Sequence, residues 1–192
     1  KNTVLRLLSS SHQRPCAAMN ALRSLGALGF RASSEVEALC WLLDITGSRR
    51  VRPADAVDKG VRWRACAVLD GFLRALSTEG FAKLPKELQE CCMSVLLARC
   101  SDRCRDVRQV ASEALSTLGG LDKETLEVLR QRALNDCNEC VRAACVSALL
   151  QGGSESSVEI ISASSLDHAP RVRRRLLSSL ELTKMEGDPD SA

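Results

Sequence analysis

Four thiols come closest to a metal-binding pattern in this chain. They form two pairs, Cys100 with Cys104 and Cys137 with Cys140, separated by three and two residues. Four thiolates at tetrahedral distances make a structural zinc site. Neither pair is flanked by the glycine turn of a zinc knuckle, and both lie beside segments whose apolar periodicity predicts helices that need no metal. We therefore interpret them as ordinary buried or partly exposed thiols, with zinc binding as the alternative.

Side chains for catalysis are sparse. The chain has only two histidines, His12 and His168, and they fall in different predicted turns. No GxxxxGK[ST] or GxGxxG segment is present to hold phosphates. No local signature pairs a cysteine with a histidine as an activated nucleophile. The sequence predicts no enzyme activity and no cofactor.

A long segment, Ile45 to Gly60, is the strongest candidate for partner binding. It carries Arg49, Arg50 and Arg52, and Trp63 follows it closely. Long connections in compact folds are commonly functional or disordered. An exposed tryptophan beside arginines has the composition of an interaction hot spot. The alternative is a solvated loop with Trp63 packed beneath it.

A second basic group consists of Arg171, Arg173, Arg174 and Arg175. It is interpreted as a solvated helix face, as a site for an acidic partner, or as a contact to nucleic acid. The net charge of only +3 argues against a continuous track for phosphates.

Helices of one recurring design must position these side chains. A Val-Arg pair returns within them, and an Asp lies five residues before the Val in the last three copies. The pairs are Val61-Arg62, Val107-Arg108, Val141-Arg142 and Val172-Arg173, and the acids are Asp102, Asp136 and Asp167. Self-similarity at spacings of tens of residues is the signature of a repeat array.

A further amphipathic segment precedes each Val-Arg helix. These segments are predicted over residues 35–44, 86–99, 122–134 and 155–166, with a shorter one at 3–8. Asp122 is the expected N-cap of its helix, and Pro85 is the expected first-turn residue of the segment at 86–99. The chain is therefore predicted to consist of helix pairs.

The stretch from Asp102 to Gly119 reads Asp-x4-Val-Arg-x2-Ala-x2-Ala-Leu-x2-Leu-Gly and resembles the second helix of a HEAT repeat. Residues 136–152 follow the same pattern with Cys145 at the first Ala position, and residues 167–180 follow it more loosely. The resemblance covers nearly the whole chain. It implies an all-α fold, a right-handed α-solenoid of about five HEAT-like helix pairs, with the second helices on the concave side.

The pairs are expected near residues 1–28, 34–78, 83–119, 122–152 and 155–185, as a single domain over 1–186 with a flexible tail at 187–192. We expect the array to be part of a longer chain or a larger complex. The resemblance also implies that the recurring charged residues form a structural ladder, in which each Arg reaches the Asp or the backbone of a neighbouring turn. These residues are Asp102, Arg108, Asp136, Arg142, Asp167 and Arg173.

Composition agrees with an intracellular helical protein. Aromatic residues make up only 3%, which fits helices packed through small and aliphatic side chains. The start shows no secretory signal, and no apolar run is long enough to span a membrane. The ten cysteines fall mostly on apolar helical faces, which indicates reduced thiols. We expect a cytoplasmic location, with the nucleus as the alternative.

The sequence thus predicts a non-enzymatic scaffold or adaptor that binds a protein partner, with no membrane contact. The partner is expected on the concave helix face or at the 45–60 segment. The alternative is a nucleic-acid-binding module that uses the Arg-rich patches. The candidate partner-binding residues are Arg49, Arg50, Arg52, Trp63, Arg171 and Arg174.

Overall fold

A computed structural model describes residues 59–118, 121–151 and 157–186. Within these ranges the chain forms seven α-helices and no strand. The helices are α1 (Lys59–Ala82), α2 (Lys86–Arg99), α3 (Arg105–Ser116), α4 (Lys123–Asn135), α5 (Glu139–Gln151), α6 (Ser157–Ser165) and α7 (Pro170–Glu186).

The helices are arranged in two layers. The Val-Arg helices α1, α3, α5 and α7 pack side by side in that order, and we call them the second-helix layer. Helices α2, α4 and α6 form the other layer, and each packs on the Val-Arg helix that follows it in the chain. This stack of helix pairs is an all-α solenoid, as the sequence predicts.

Burial in α3 explains why its motif recurs. Val107, Ala111, Ala114 and Leu115 are all fully buried and follow helical spacing along one side of the helix. Alanines at two of these positions allow close approach of the neighbouring helices, and the valine and leucine fill the space between layers. Helix α5, packed between α3 and α7 and covered by α4, is buried throughout Val141–Leu150.

Helix starts follow one rule across the layer. Each Val-Arg helix begins two residues before its valine, at Lys59, Arg105, Glu139 and Pro170. The predicted 45–60 segment is therefore too long at its end, because Lys59 and Gly60 already belong to α1. Residues 45–58 lie outside the described ranges. The rule places each arginine in the first helical turn, within reach of the turn that precedes its helix.

The starts of α4 and α2 test two predictions about the residues that begin these helices. The Asp122 side chain accepts a hydrogen bond from the Thr125 backbone N–H at 2.8 Å, so the predicted N-cap is confirmed. Pro85 lies one position earlier than predicted, at the N-cap of α2 rather than in its first turn. Its missing N–H costs nothing there because no helical partner is available for that group.

None of the helices in the described part of the chain combines the length and the apolar character needed to cross a membrane.

Candidate functional site

Arginines of the second-helix layer bind the carboxylate of the turn that belongs to the following helix pair. Each donates from Nε to one carboxylate oxygen and from Nη2 to the other. The Nε and Nη2 distances are 2.8 and 2.9 Å for Arg62–Asp102, 2.8 and 2.9 Å for Arg108–Asp136, and 2.7 and 2.9 Å for Arg142–Asp167. A bidentate pair specifies direction as well as distance, so each one sets how neighbouring units stack.

The remaining guanidinium nitrogen, Nη1, donates a hydrogen bond to the turn that precedes the arginine's own helix. Arg108 donates from Nη1 to the backbone carbonyl oxygen of Asp102 at 2.8 Å. The same contact joins Arg142 to Asp136 at 2.9 Å and Arg173 to Asp167 at 2.6 Å. Each complete arginine thus links two successive turns. Because Arg108 and Arg142 direct their guanidinium nitrogens to these two turns, their geometry indicates a structural role.

The aspartates are saturated by further donors. In each turn Oδ1 also accepts from the backbone N–H two residues ahead, at 2.8 Å from Cys104, 3.0 Å from Asn138 and 2.8 Å from Ala169. Asp102 accepts in addition from Arg99 Nη1 at 3.0 Å, and its side chain is fully shielded from solvent. A buried carboxylate with this many donors is stabilised in its charged form.

The pKa values of the ladder aspartates reflect these donors. Burial by itself would raise the pKa of Asp102, but the hydrogen bonds from Arg62 and the Cys104 N–H, with the charges of Arg62 and Arg99, hold it below its ordinary value. The pKa of Asp136 is lowered against burial in the same way, chiefly by Arg108. For Asp167, the hydrogen bond from Arg142 is the largest effect and lowers the pKa.

The lowered pKa values predict acid lability. A carboxyl whose pKa is lower in the folded than in the unfolded chain adds stability above the unfolded pKa, about 3.9, and that stability is lost as the pH falls through the folded pKa. We expect the free energy of unfolding, measured in urea, to decline between about pH 5 and pH 2. The Asp167→Asn variant should show a smaller decline, whereas Glu124→Gln on the exposed start of α4 should not. An unchanged pH profile in Asp167→Asn would contradict this assignment.

A groove of about 550 Å³ lies between the start of α1 and the exposed side of α3. Trp63, half-buried, stands on the α1 side. Asp106 and Glu113 lie seven positions apart, so they share one face of α3. Gln109 between them donates to Glu113 Oε1 at 2.9 Å. The rest of the lining comes from Lys59, Gly60, Cys104 and Val110.

A second cavity of about 740 Å³ lies on the other layer, between α2 and the start of α4. Phe81, Met93, Leu97 and Leu118 form much of its wall, and Thr125 closes one side. The Thr125 hydroxyl is buried and has no hydrogen-bond partner in the structure. This cavity shares no lining residue with the Trp63 groove, so the two are separate sites.

The remaining candidate arginines do not join the Trp63 groove. Arg171 is tied to α5, since its Nη1 lies 3.1 Å from Cys140 Sγ and its Nε lies 3.8 Å from Glu139 Oε1. Arg174 is exposed on α7, and α3 and α5 lie between α7 and α1. Arg49, Arg50 and Arg52 are outside the described residues.

The four candidate zinc ligands do not come together. Cys100 is fully buried, and its Sγ is 3.6 Å from Ser112 Oγ, while Cys137 is exposed. Burial raises the pKa of the Cys100 thiol to about 11, which disfavours the thiolate that binds metal. Across residues 59–118, 121–151 and 157–186, no three His, Cys, Asp or Glu side chains cluster so that they could hold a metal ion.

Reasoning from the sequence missed two features. It did not assign Asp106 and Glu113 to a site, although their spacing on an amphipathic helix was a usable signal. It also left Arg62 out of the ladder, because no Asp lies five residues before Val61. The structure pairs Arg62 with Asp102, forty residues later, since each arginine binds the turn of the next unit.

A family model described as HEAT repeats matches residues 93–181. The matched region begins within α2, ends within α7 and includes all three Asp turns. A comparison with curated proteins gives no match.

Two solved structures share the fold. One is an engineered protein, a target of the Northeast Structural Genomics Consortium, with a TM-score of 0.60 and 15% identity over 93% of this chain and 78% of that chain. The other is the S. pombe condensin Cnd3-Cnd2 subcomplex, with a TM-score of 0.57 and 20% identity. That match covers 95% of this chain but 28% of the neighbour. Identities this low show likeness of fold alone.

Proposed function

Because the chain belongs to the HEAT-repeat family, whose stacked helix pairs form extended binding surfaces, we propose that it is a non-enzymatic scaffold that binds a polypeptide partner across its second-helix layer. The observation that carries the proposal is the groove beside Trp63. It combines a half-buried indole, an apolar Val110 side chain and two carboxylates on packed helices. Rigid helices hold these groups in place, so binding costs little conformational entropy.

The groove favours a partner segment with a lysine or arginine among apolar residues. An indole face attracts a cation when the cation lies within about 6 Å of the ring. Asp106 and Glu113 supply negative charge on the α3 side of the groove, and Lys59 on α1 limits the site to a single cationic side chain. Tryptophan side chains that bury apolar area in a well-packed pocket are typical binding hot spots.

Residues 45–58 provide a further proposed contact. Arg49, Arg50 and Arg52 precede α1, which carries Trp63. Their charge suits an acidic stretch of the same partner beside its basic segment. Nucleic-acid binding through Arg174 and Arg175, both exposed on α7, is the second candidate, and it requires a steep fall in affinity with added salt.

An intracellular, cytoplasmic location belongs to the same proposal. No disulfide joins the eight cysteines of the described residues to one another, which suits a reducing compartment.

Affinity capture with the full chain tests the proposal. Glu113→Lys places a positive charge in the groove, and Trp63→Ala removes the indole. We expect either change to lower the affinity for the captured partner roughly 30-fold, which is the effect of truncating a hot-spot residue. Isothermal titration calorimetry with the captured protein measures the loss.

Met93→Ala in the cavity on the other layer is the matched control and should bind like the wild-type chain. Reversal of Arg49, Arg50 and Arg52 to Glu tests the neighbouring segment in the same assay. Equal affinity in all variants would exclude the Trp63 groove. If the chain captures only nucleic acid, and this binding is lost at moderate salt, the result would favour nucleic-acid binding through Arg174 and Arg175.

A further inference from the structure

We call the contacts between one ladder arginine and the two successive Asp turns a rung. At α7 only half of these contacts are present. Arg173 donates from Nη1 to the carbonyl oxygens of Asp167 and His168, at 2.6 and 3.1 Å. Arg108 and Arg142 make the first of these contacts, to the carbonyl of the Asp in their own turns. In those two arginines Nε and Nη2 bind the carboxylate of the following unit. The corresponding nitrogens of Arg173 have no hydrogen-bond partner within the described ranges. The guanidinium is therefore held in position with its carboxylate-binding edge open.

Two exposed leucines belong to the same unit, Leu177 one helical turn after Arg173 and Leu166 in the turn before α7. Leu177 is 60% exposed, whereas Ser112 and Val146 at the matching positions of α3 and α5 are fully buried. Leu166, directly before Asp167, is 83% exposed. The matching residue Ser101 accepts a hydrogen bond from Arg132 of the next unit at 3.0 Å. Both leucines thus occupy positions that contact a following helix pair elsewhere in the array.

We propose that the end face formed by Leu166, Arg173 and Leu177 docks a helix of a separate partner protein, and that the turn leading into this helix presents an aspartate to Arg173. The three intramolecular rungs show what fits such a face: an Asp-led turn followed by a helix with small and apolar residues on one side. This site is independent of the Trp63 groove, which lies on α1 at the other side of α3 and α5.

Energetic considerations support this occupant. The hydrogen bond from Nη1 already restricts rotation of the Arg173 side chain. Binding a carboxylate at Nε and Nη2 therefore costs less conformational entropy. Arg174 is exposed on the same helix and adds positive charge, which favours the acidic start of a partner helix. The two leucines supply the apolar area that a lone ion pair on a surface lacks.

A helical peptide copy of one rung serves as the probe. It contains residues 101–118 with Gln109→Lys, and a lactam between that lysine and Glu113 holds the helix. Circular dichroism verifies its helicity. Binding to the full chain is measured by fluorescence anisotropy of a dye-labelled peptide. We expect saturable binding, and about tenfold or greater weakening in Arg173→Ala and in Leu177→Glu.

Matched controls separate this site from general charge attraction. Arg175→Ala removes the same charge from the same helix and should bind like the wild-type chain. A peptide with Asp102→Asn should bind about tenfold more weakly, because one oxygen and the charge are lost. The proposal fails if the helical peptide does not bind, if the Asn peptide binds equally, or if Arg175→Ala weakens binding as much as Arg173→Ala.

The oligomeric state of the chain alone tests the choice of a separate partner. We expect analytical ultracentrifugation to show a monomer for the wild-type chain and for Arg173→Ala. A dimer that Arg173→Ala dissociates would mean that a second copy covers this face, and it would overturn the assignment to a different protein.

Discussion

Replacing Asp102 by alanine is expected to lower the free energy of unfolding by about 3–5 kcal/mol. The change removes the carboxylate that binds the guanidiniums of Arg62 and Arg99, and each of these side chains is only 7% exposed. It also removes the acceptor of the Cys104 backbone N–H. A buried charge that has lost its partner costs more than the intact pair contributes, so this truncation should be among the most destabilising in the chain.

Urea unfolding followed by circular dichroism measures this effect. Asp106→Ala is the matched control, because its side chain is 61% exposed at the start of α3 and a surface change of this kind is expected to alter stability by less than about 0.5 kcal/mol. Asp102→Asn keeps an oxygen for the Cys104 N–H and should fall between the two. A loss of less than about 1 kcal/mol in Asp102→Ala would show that the ladder contributes no net stability.

Truncation of Leu115 to alanine is expected to cost about 2–5 kcal/mol. Its side chain is fully buried in α3, which packs against both α1 and α5. The change removes apolar contacts and leaves a cavity between the layers. Because stability in a repeat array depends on contacts between neighbours, the loss should also weaken the coupling of α1 to the units that follow.

The matched control is Leu177→Ala on α7, which makes the same chemical change at a side chain that is 60% exposed. It should leave the unfolding midpoint within error of the wild type. Equal losses in the two variants would mean that burial in α3 does not determine the contribution of Leu115. Hydrogen exchange of the α1 amides, compared with those of α7, would reveal the loss of coupling.

Most ladder arginines are used in stacking, so a partner-binding site is expected to use other residues. Arg62, Arg108 and Arg142 are used in stacking and have no free edge for a ligand. We therefore propose that binding uses side chains outside the ladder, at the Trp63 groove, and the open edge of Arg173. The groove carries carboxylates and the end face carries guanidiniums, so the two surfaces suit partners of opposite charge.

The fold class could be predicted from the sequence because it depends on local regularities. Helical periodicity predicts α2 over 86–99, and the observed helix is Lys86–Arg99. The N-cap at Asp122 depends on a contact three residues away, which the chain determines by itself. The recurring Val-Arg spacing likewise indicates stacked units, since one amphipathic pair cannot bury its own apolar face.

Only the tertiary structure decides which residues of different units meet. Each arginine binds the aspartate of the following unit because stacking brings its first turn beside that later turn, and no local spacing encodes this choice. The groove unites Trp63 with Asp106 and Glu113 from a separate helix, and packing buries Cys100 while Cys137 stays exposed. Periodicity determines which face of a helix is apolar, whereas the distance and register between faces depend on how the side chains of two layers fit together.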